Sequence, residues 1–322
     1  MDSASHMYDN LLDPLFLFFA VGFLGGVLKA DLKLPDAVYQ LLSTYLLLAI
    51  GLKGGVQLSQ VAIGTIALPA VATLTLGVVV PVISFLIAIS LGRLNRADAA
   101  SLAAHYGSAS AVTFAAALEM LRRSQVSYEG FMPVLLVLLE VPAIFVAIFL
   151  YGLKAEKRPN YGTLLHEIVL NRSVFLLVAG MGVGFLSGPE RFSPYKLLFV
   201  DAFKPVLSFF ILEMGLVAAL RMPEIRKAGK FLLGFGIIAP VVFGLLGGWL
   251  GLLCGLSAGG AIILATLAAS ASYIAAPAAI RVAIPEANTG MSVAAALGVT
   301  FPFNLAIGIP IYTWWVSWLT SA

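Results

Sequence analysis

Two short runs of small hydroxyl residues carry most of the chemistry that this sequence offers. Ser108-Ala109-Ser110, followed by AVTFAAA, recurs 162 residues later as Ser270-Ala271-Ser272, followed by YIAAPAA. Each run sits inside an apolar stretch too long for a soluble strand or helix. Hydroxyls at mid-membrane are tolerated where they face protein or a water-filled cavity. Gly107 and the serines are weak helix formers, whereas Ala115–Leu118 and Ala278–Ile280 are strong ones. The pattern predicts a break near Gly107–Ser110 with a half-helix starting at Ala111 or Val112, and a matching half-helix starting near Tyr273. Two helix N-termini would then converge, each worth up to about 2 kcal/mol to a partly buried anion. Free N–H groups and serine hydroxyls would hold a small anion there without an arginine. Close helix packing on a small-residue stripe is the plainer alternative, and two copies in register favour a site.

Intramembrane carboxylates supply the second kind of chemistry. Glu140 lies in LLVLLEVPAIF, with Pro142 opening the backbone ladder just beyond it. At that depth a carboxylate is costly unless it is paired, protonated or bound to a cation, so Glu140 is the expected cation ligand. Its counterpart in the second half is Thr300, near Asn304. Glu213 is a second candidate, with Lys53 opposite it in the paired repeat segment. Glu119 is spaced for a local pair with Arg122 and Arg123, and Asp201 for one with Lys204. His105 stands three residues before Ser108, a spacing that raises an intramembrane hydrolase using Ser108 or Ser270. The glycine pattern of a serine-centred loop is missing, so His105 is expected to cap or pack and no enzyme is expected. No metal cluster, phosphate loop or dinucleotide fingerprint occurs.

The elements that must position these residues are membrane helices. Of 322 residues, 61% are hydrophobic and only 11% charged, with mean hydropathy +1.01, against roughly 25% charged in soluble domains. The 31 glycines and 16 prolines, and the absence of dyad alternation, favour a helix bundle over a β-barrel. One cysteine, Cys254, excludes a disulfide framework. The net charge of +3 is read as topology and not as nucleic-acid affinity.

Ten spans are expected, at 11–29, 36–56, 61–92, 97–121, 127–152, 172–188, 194–220, 229–254, 258–281 and 288–319. The opening MDSASHM, including His6, reads as a tag remnant within an N-terminal segment 1–10, and no cleavable signal peptide is expected. Residues 11–152 form one unit of five helices, 153–171 a polar linker, and 172–322 a second unit. Further matches keep offsets between 159 and 164: Pro35 with Pro194, AIGLKGG with EMGLVAA, GVVVPV with GIIAPV, and Pro142 with Pro302. Five is odd, so the second copy inserts upside down. The expected fold is all-α and integral to the membrane: ten helices in two inverted five-helix repeats, with crossed broken helices 4 and 9. Most Lys and Arg, among them Lys29, Arg93, Arg96, Lys154, Lys157, Arg158, Arg226 and Lys227, follow odd-numbered spans. Lys53, Arg122, Arg123, Arg191, Lys196 and Lys204 occupy the other side. Positive charge therefore places the linker in the cytoplasm and both termini outside, in an inner (plasma) membrane.

The blocks GSASAVTFAAAL, LEVPAI, IGLKGG and above all AASASYIAAPAAIRVAIPEAN resemble the sodium-dependent bicarbonate transporter family, from about residue 11 onward. The resemblance implies sodium-coupled bicarbonate uptake by elevator-like alternating access, with a homotrimer in the bilayer and sodium as coupling ion with no other cofactor. It assigns Gly107, Ser108, Ser110, Ser270, Ala271 and Ser272 to bicarbonate. It assigns Thr113, Glu140, Ser110, Ser272 and the Tyr273 position to sodium. Glu140 stands where the family tends to have aspartate, and Tyr273 where an acidic residue is expected. A PII-like regulatory partner is also implied, although the linker is shorter than in cyanobacterial members. A carrier of another small monoanion, or one coupled to protons through Glu140, is the alternative.

Overall fold

The computed structural model describes residues 12–154, 162, 166 and 168–321, with the backbone alone at 225–228. The segment 1–10 with its MDSASHM opening and His6, most of the linker including Lys157 and Arg158, and the side chains of Arg226 and Lys227 lie outside the described residues. Among those described, all regular structure is helical.

The chain opens with α1 (Pro14–Val27), where the Asp13 carboxylate accepts the Leu15 N–H at 2.7 Å and Pro14 occupies the first turn. It continues with α2 (Asp36–Leu58), α3 (Ile63–Ser90), α4 (Arg96–Gly107), α5 (Ala111–Arg123) and α6 (Met132–Gly152). The second half holds α7 (Arg172–Phe192), α8 (Leu197–Glu224), α9 (Gly229–Leu253), α10 (Ala258–Ala269), α11 (Ala275–Ala283) and α12 (Thr289–Ser321). Gly229, at φ 83°, makes the turn from α8 to α9, a conformation that costs a glycine little. Among the described residues, seven helices are long and apolar enough to cross a membrane: α2, α3, α6, α7 with its extension to Tyr195, α8, α9 and α12. α1 (14 residues) and α10 (12 residues) are apolar but shorter. The spans expected at 97–121 and 258–281 are each two helices, α4–α5 and α10–α11, separated by extended residues.

The helices sort into two groups. In the first, the frame, α1 packs on α8 and α2 on α7. Glycines set these crossings: Gly22 and Gly26 of α1 lie against the backbone of Leu212 and Leu216, and Gly215 of α8 lies against Phe19. Gly51 and Gly55 of α2 interlock with Gly180 and Gly184 of α7 in the same way. Membrane helices gain little from burying apolar surface against one another, so small residues that let backbones approach decide the pairing. In the second group, the bundle, α3 packs on α4 and α6, α4 on α6, and α9 on α10 and α12, enclosing the broken helices. α4, α5 and α10 are largely buried, apart from Arg122 and Arg123 at the exposed end of α5.

Asp201 and Lys204 form no ion pair among the described residues, because Leu197–Asp201 is a π-helical turn that upsets the α-helical spacing. Glu119 pairs with Arg122 at 3.0 Å, while Arg123 reaches Asp13 at 2.7 Å.

Candidate functional site

Both buried spans break where the serines stand. α4 ends at Gly107, where an added Cβ would sit 2.8 Å from the Pro81 ring of α3. Ser108 (φ −92°, ψ 162°) and Ser110 (φ −106°, ψ 114°) are extended, and Ser110 then caps α5, its Oγ accepting the Thr113 N–H at 3.2 Å. α10 ends at Ala269, and Ser270 (φ −84°, ψ 166°) is extended in the same manner. α11 begins at Ala275, two residues beyond the expected Tyr273. Ile274 (φ −116°, ψ −59°) is still off the helix, and Pro277 falls in the first turn, where its missing N–H costs nothing. The Ser272 Oγ accepts the Ala276 N–H at 3.3 Å.

The two breaks are tied to each other. The Ser110 N–H donates to Ser270 Oγ at 2.9 Å, and the Ser272 N–H donates to the His105 carbonyl at 2.8 Å. Ser270 passes its own proton to the Leu267 carbonyl at 2.9 Å. One backbone N–H of each break is thus satisfied by the other copy. His105 Nδ1 donates to the Ser101 carbonyl at 2.7 Å, and neither its Nε2 nor Ser108 Oγ has a hydrogen-bond partner. No hydrogen bond joins His105 to Ser108 or Ser270, so the serine–base pair of a hydrolase is not formed.

Where the breaks meet α6 and α7 there is a void of about 10 Å³, room for roughly one water molecule. Ser110, Ala111 and Val112 line it from the start of α5, and Ser272, Tyr273 and Ile274 from the approach to α11. Glu140 of α6, Ser173 of α7 and Leu47 of α2 complete it, with Ala109. A second void of about 10 Å³, apolar, adjoins it between Leu46, Leu47 and Ile50 of α2, Phe210 of α8 and the first turn of α5. Of the residues expected to bind, Ser110, Ser272, Tyr273 and Glu140 come together here. Gly107, Ser108, Thr113, Ser270 and Ala271 are buried in the surrounding breaks and lie outside the lining.

Glu140 is 4% exposed; its Oε1 accepts a hydrogen bond from the Ser173 hydroxyl at 3.2 Å and its Oε2 has no partner. Tyr273 places its hydroxyl beside the Ser110 side chain without a well-aligned hydrogen bond. A buried polar atom left unpaired costs roughly 1–3 kcal/mol, more when charged, and Glu140 Oε2 and the Tyr273 hydroxyl are two such atoms on residues that line the void. One carboxylate and several hydroxyl oxygens form a donor set for a hard cation, and two helix N-termini beside them suit an anion.

Sequence reasoning missed Ser173, which lies at the junction with the linker and is held by an Asn171 cap. It placed Thr300 and Asn304 only as counterparts. Thr300 donates to the Gly236 carbonyl at 2.8 Å and so accepts from the Tyr106 hydroxyl at 2.7 Å. Asn304 donates to the terminal Ala269 carbonyl of α10 and accepts from Tyr312, both at 2.8 Å. Glu213 accepts the Leu34 N–H at 3.2 Å, within the frame, and Lys53 lies 3.4 Å over the Phe203 ring. Neither lines the void.

Residues 14–317 match the family model of the Na+-dependent bicarbonate transporter superfamily. No match is found among curated proteins. That family match spans both broken helices, the void between them and nearly the whole chain, and the chain belongs to the Na+-dependent bicarbonate transporter superfamily.

Proposed function

We propose that this chain is a sodium-coupled bicarbonate symporter whose anion and cation share the crossover of the two breaks. The observation that carries the proposal is the unpaired Glu140 oxygen on a void lined by both breaks. Bicarbonate would lie between the N-termini of α5 and α11, held by N–H and hydroxyl groups of Gly107, Ser108, Ser110, Ser270, Ala271 and Ser272. Sodium would lie against Glu140, Ser110, Ser272 and Tyr273, with Thr113 in the turn behind.

Coupling follows from charge. A bare Glu140 carboxylate about 4 Å from the anion would oppose it by about 4 kcal/mol at an effective dielectric of 20. Sodium on Glu140 cancels that opposition, so each ion raises the other's affinity by the same factor. At the related position in the second half, Thr300 and Asn304 are uncharged and already engaged in hydrogen bonds with Gly236, Ala269 and Tyr312, which supports a single carboxylate-based cation site.

The void holds roughly one water, so bicarbonate entry requires the bundle to shift against the frame. Thin contacts between these groups, beside extensive ones within each, support an elevator-like movement of the bundle. Ten spans in two inverted repeats are supported by the glycine crossings: α1 on α8 and α7 on α2 are the same pair with the halves exchanged. On that topology the linker is cytoplasmic and both termini lie outside, in a plasma (inner) membrane, with the exposed apolar faces of the frame available for lipid and for assembly as a homotrimer.

Uptake of labelled bicarbonate into proteoliposomes tests the proposal. An inward sodium gradient should drive accumulation that choline or potassium does not. Accumulation that ignores sodium and follows an inward proton gradient would move the coupling to a proton on Glu140, and absence of any bicarbonate uptake would sink the assignment.

A further inference from the structure

The bundle supplies the breaks and Glu140 to the void; the frame supplies one polar group, Ser173 of α7. Its Oγ lies 3.2 Å from Glu140 Oε1 and 2.9 Å from Asn171 Oδ1. A serine hydroxyl has one proton and two lone pairs. Both neighbours are acceptors: Asn171 Oδ1 already receives the Ser173 N–H at 3.0 Å, which fixes the orientation of that amide. The proton can therefore serve only one of them at a time. Given to Glu140, it supports a bare carboxylate. Given to Asn171 across the shorter contact, it turns a lone pair toward Glu140, and the two oxygens 3.2 Å apart are then held together by a cation near both or by a proton on Glu140.

We propose that Ser173 is a two-position switch and the frame's own ligand to the coupling cation. With the cation site empty its proton points to Glu140. With sodium bound its proton points to Asn171, and its oxygen joins Glu140 in coordinating the ion. Asn171 is the positioning residue that receives the turned hydroxyl. The proposal rests on the sodium-coupled transport proposed above and adds a consequence to it. Because Ser173 and Glu140 belong to groups that shift against each other, the full oxygen shell exists in one state only. Moving the bundle away from α7 removes a ligand and favours release of sodium.

The test is the half-saturating sodium concentration for bicarbonate uptake by proteoliposomes. Ser173→Ala and Asn171→Ala should each raise it about tenfold, the scale of one hydrogen bond involving a charged group. The half-saturating bicarbonate concentration at saturating sodium should stay unchanged. Ser173→Thr, which keeps the hydroxyl, and Asn171→Asp, which keeps the acceptor and the helix cap, should both restore sodium affinity. A wild-type sodium curve in Ser173→Ala, or equal losses of sodium and bicarbonate affinity in both alanine variants, overturns the switch while leaving sodium coupling intact. A wild-type protein whose uptake ignores sodium overturns the coupling itself, and the switch with it.

Discussion

Glu140 concentrates the chemistry of this chain in one side chain. It is nearly inaccessible, holds one weak hydrogen bond from Ser173 and leaves its second oxygen unpaired beside a water-sized void. Its position was legible in the sequence because an acidic residue among leucines and valines has few explanations. Ser173 was not legible: a serine two residues after an asparagine reads first as a helix start, and only the fold brings it to α6. Tyr273 shows a different limit, since its identity suggested a lost cation ligand while its burial beside Ser110 keeps an oxygen at the void. Replacing Glu140 by glutamine keeps the shape and removes the charge. Glu140→Gln should abolish sodium dependence and convert uptake into passive equilibration, because the anion no longer meets a repulsion that sodium must cancel. Sodium-driven accumulation retained in this variant would place the cation elsewhere.

At the scale of elements, the sequence revealed where the helices break but not how the breaks are held. Small, weakly helical residues around Gly107 and Ser270 marked both interruptions, and the start of α5 at Ala111 agrees with the spacing. The start of α11 was displaced to Ala275 by the local geometry of Ile274, which composition does not encode. The cross-links from Ser110 to Ser270 and from Ser272 to His105 join residues 160 or more apart and depend on the tertiary crossing. Gly107 fixes one side of that crossing against Pro81. Gly107→Ala should therefore lower thermal stability in detergent, by about 1–3 kcal/mol as overpacking usually does. Gly64→Ala, where an added Cβ meets nothing within 4 Å, should not. Equal unfolding temperatures for the two variants would show that α4 does not end against α3 as described.

At the scale of the molecule, frame and bundle contribute unequal parts to the lining of one void. The frame's interlocked glycines give a stiff support, and the bundle carries buried helix ends that meet at the void. The paired motifs in the sequence pointed to two consecutive halves, whereas the sorting into frame and bundle, which draws helices from both halves, emerged only from packing. The central claim is that Ser110 and Ser272, from opposite halves, face one shared ion site. Its most direct test replaces each by cysteine in a Cys254→Ala background and measures the rate of modification by a small thiol reagent in proteoliposomes. Sodium and bicarbonate together should slow modification at both positions, and sodium replaced by choline should remove the protection at both. Protection at one position alone, or at neither while uptake persists, would contradict a site built by the two breaks together.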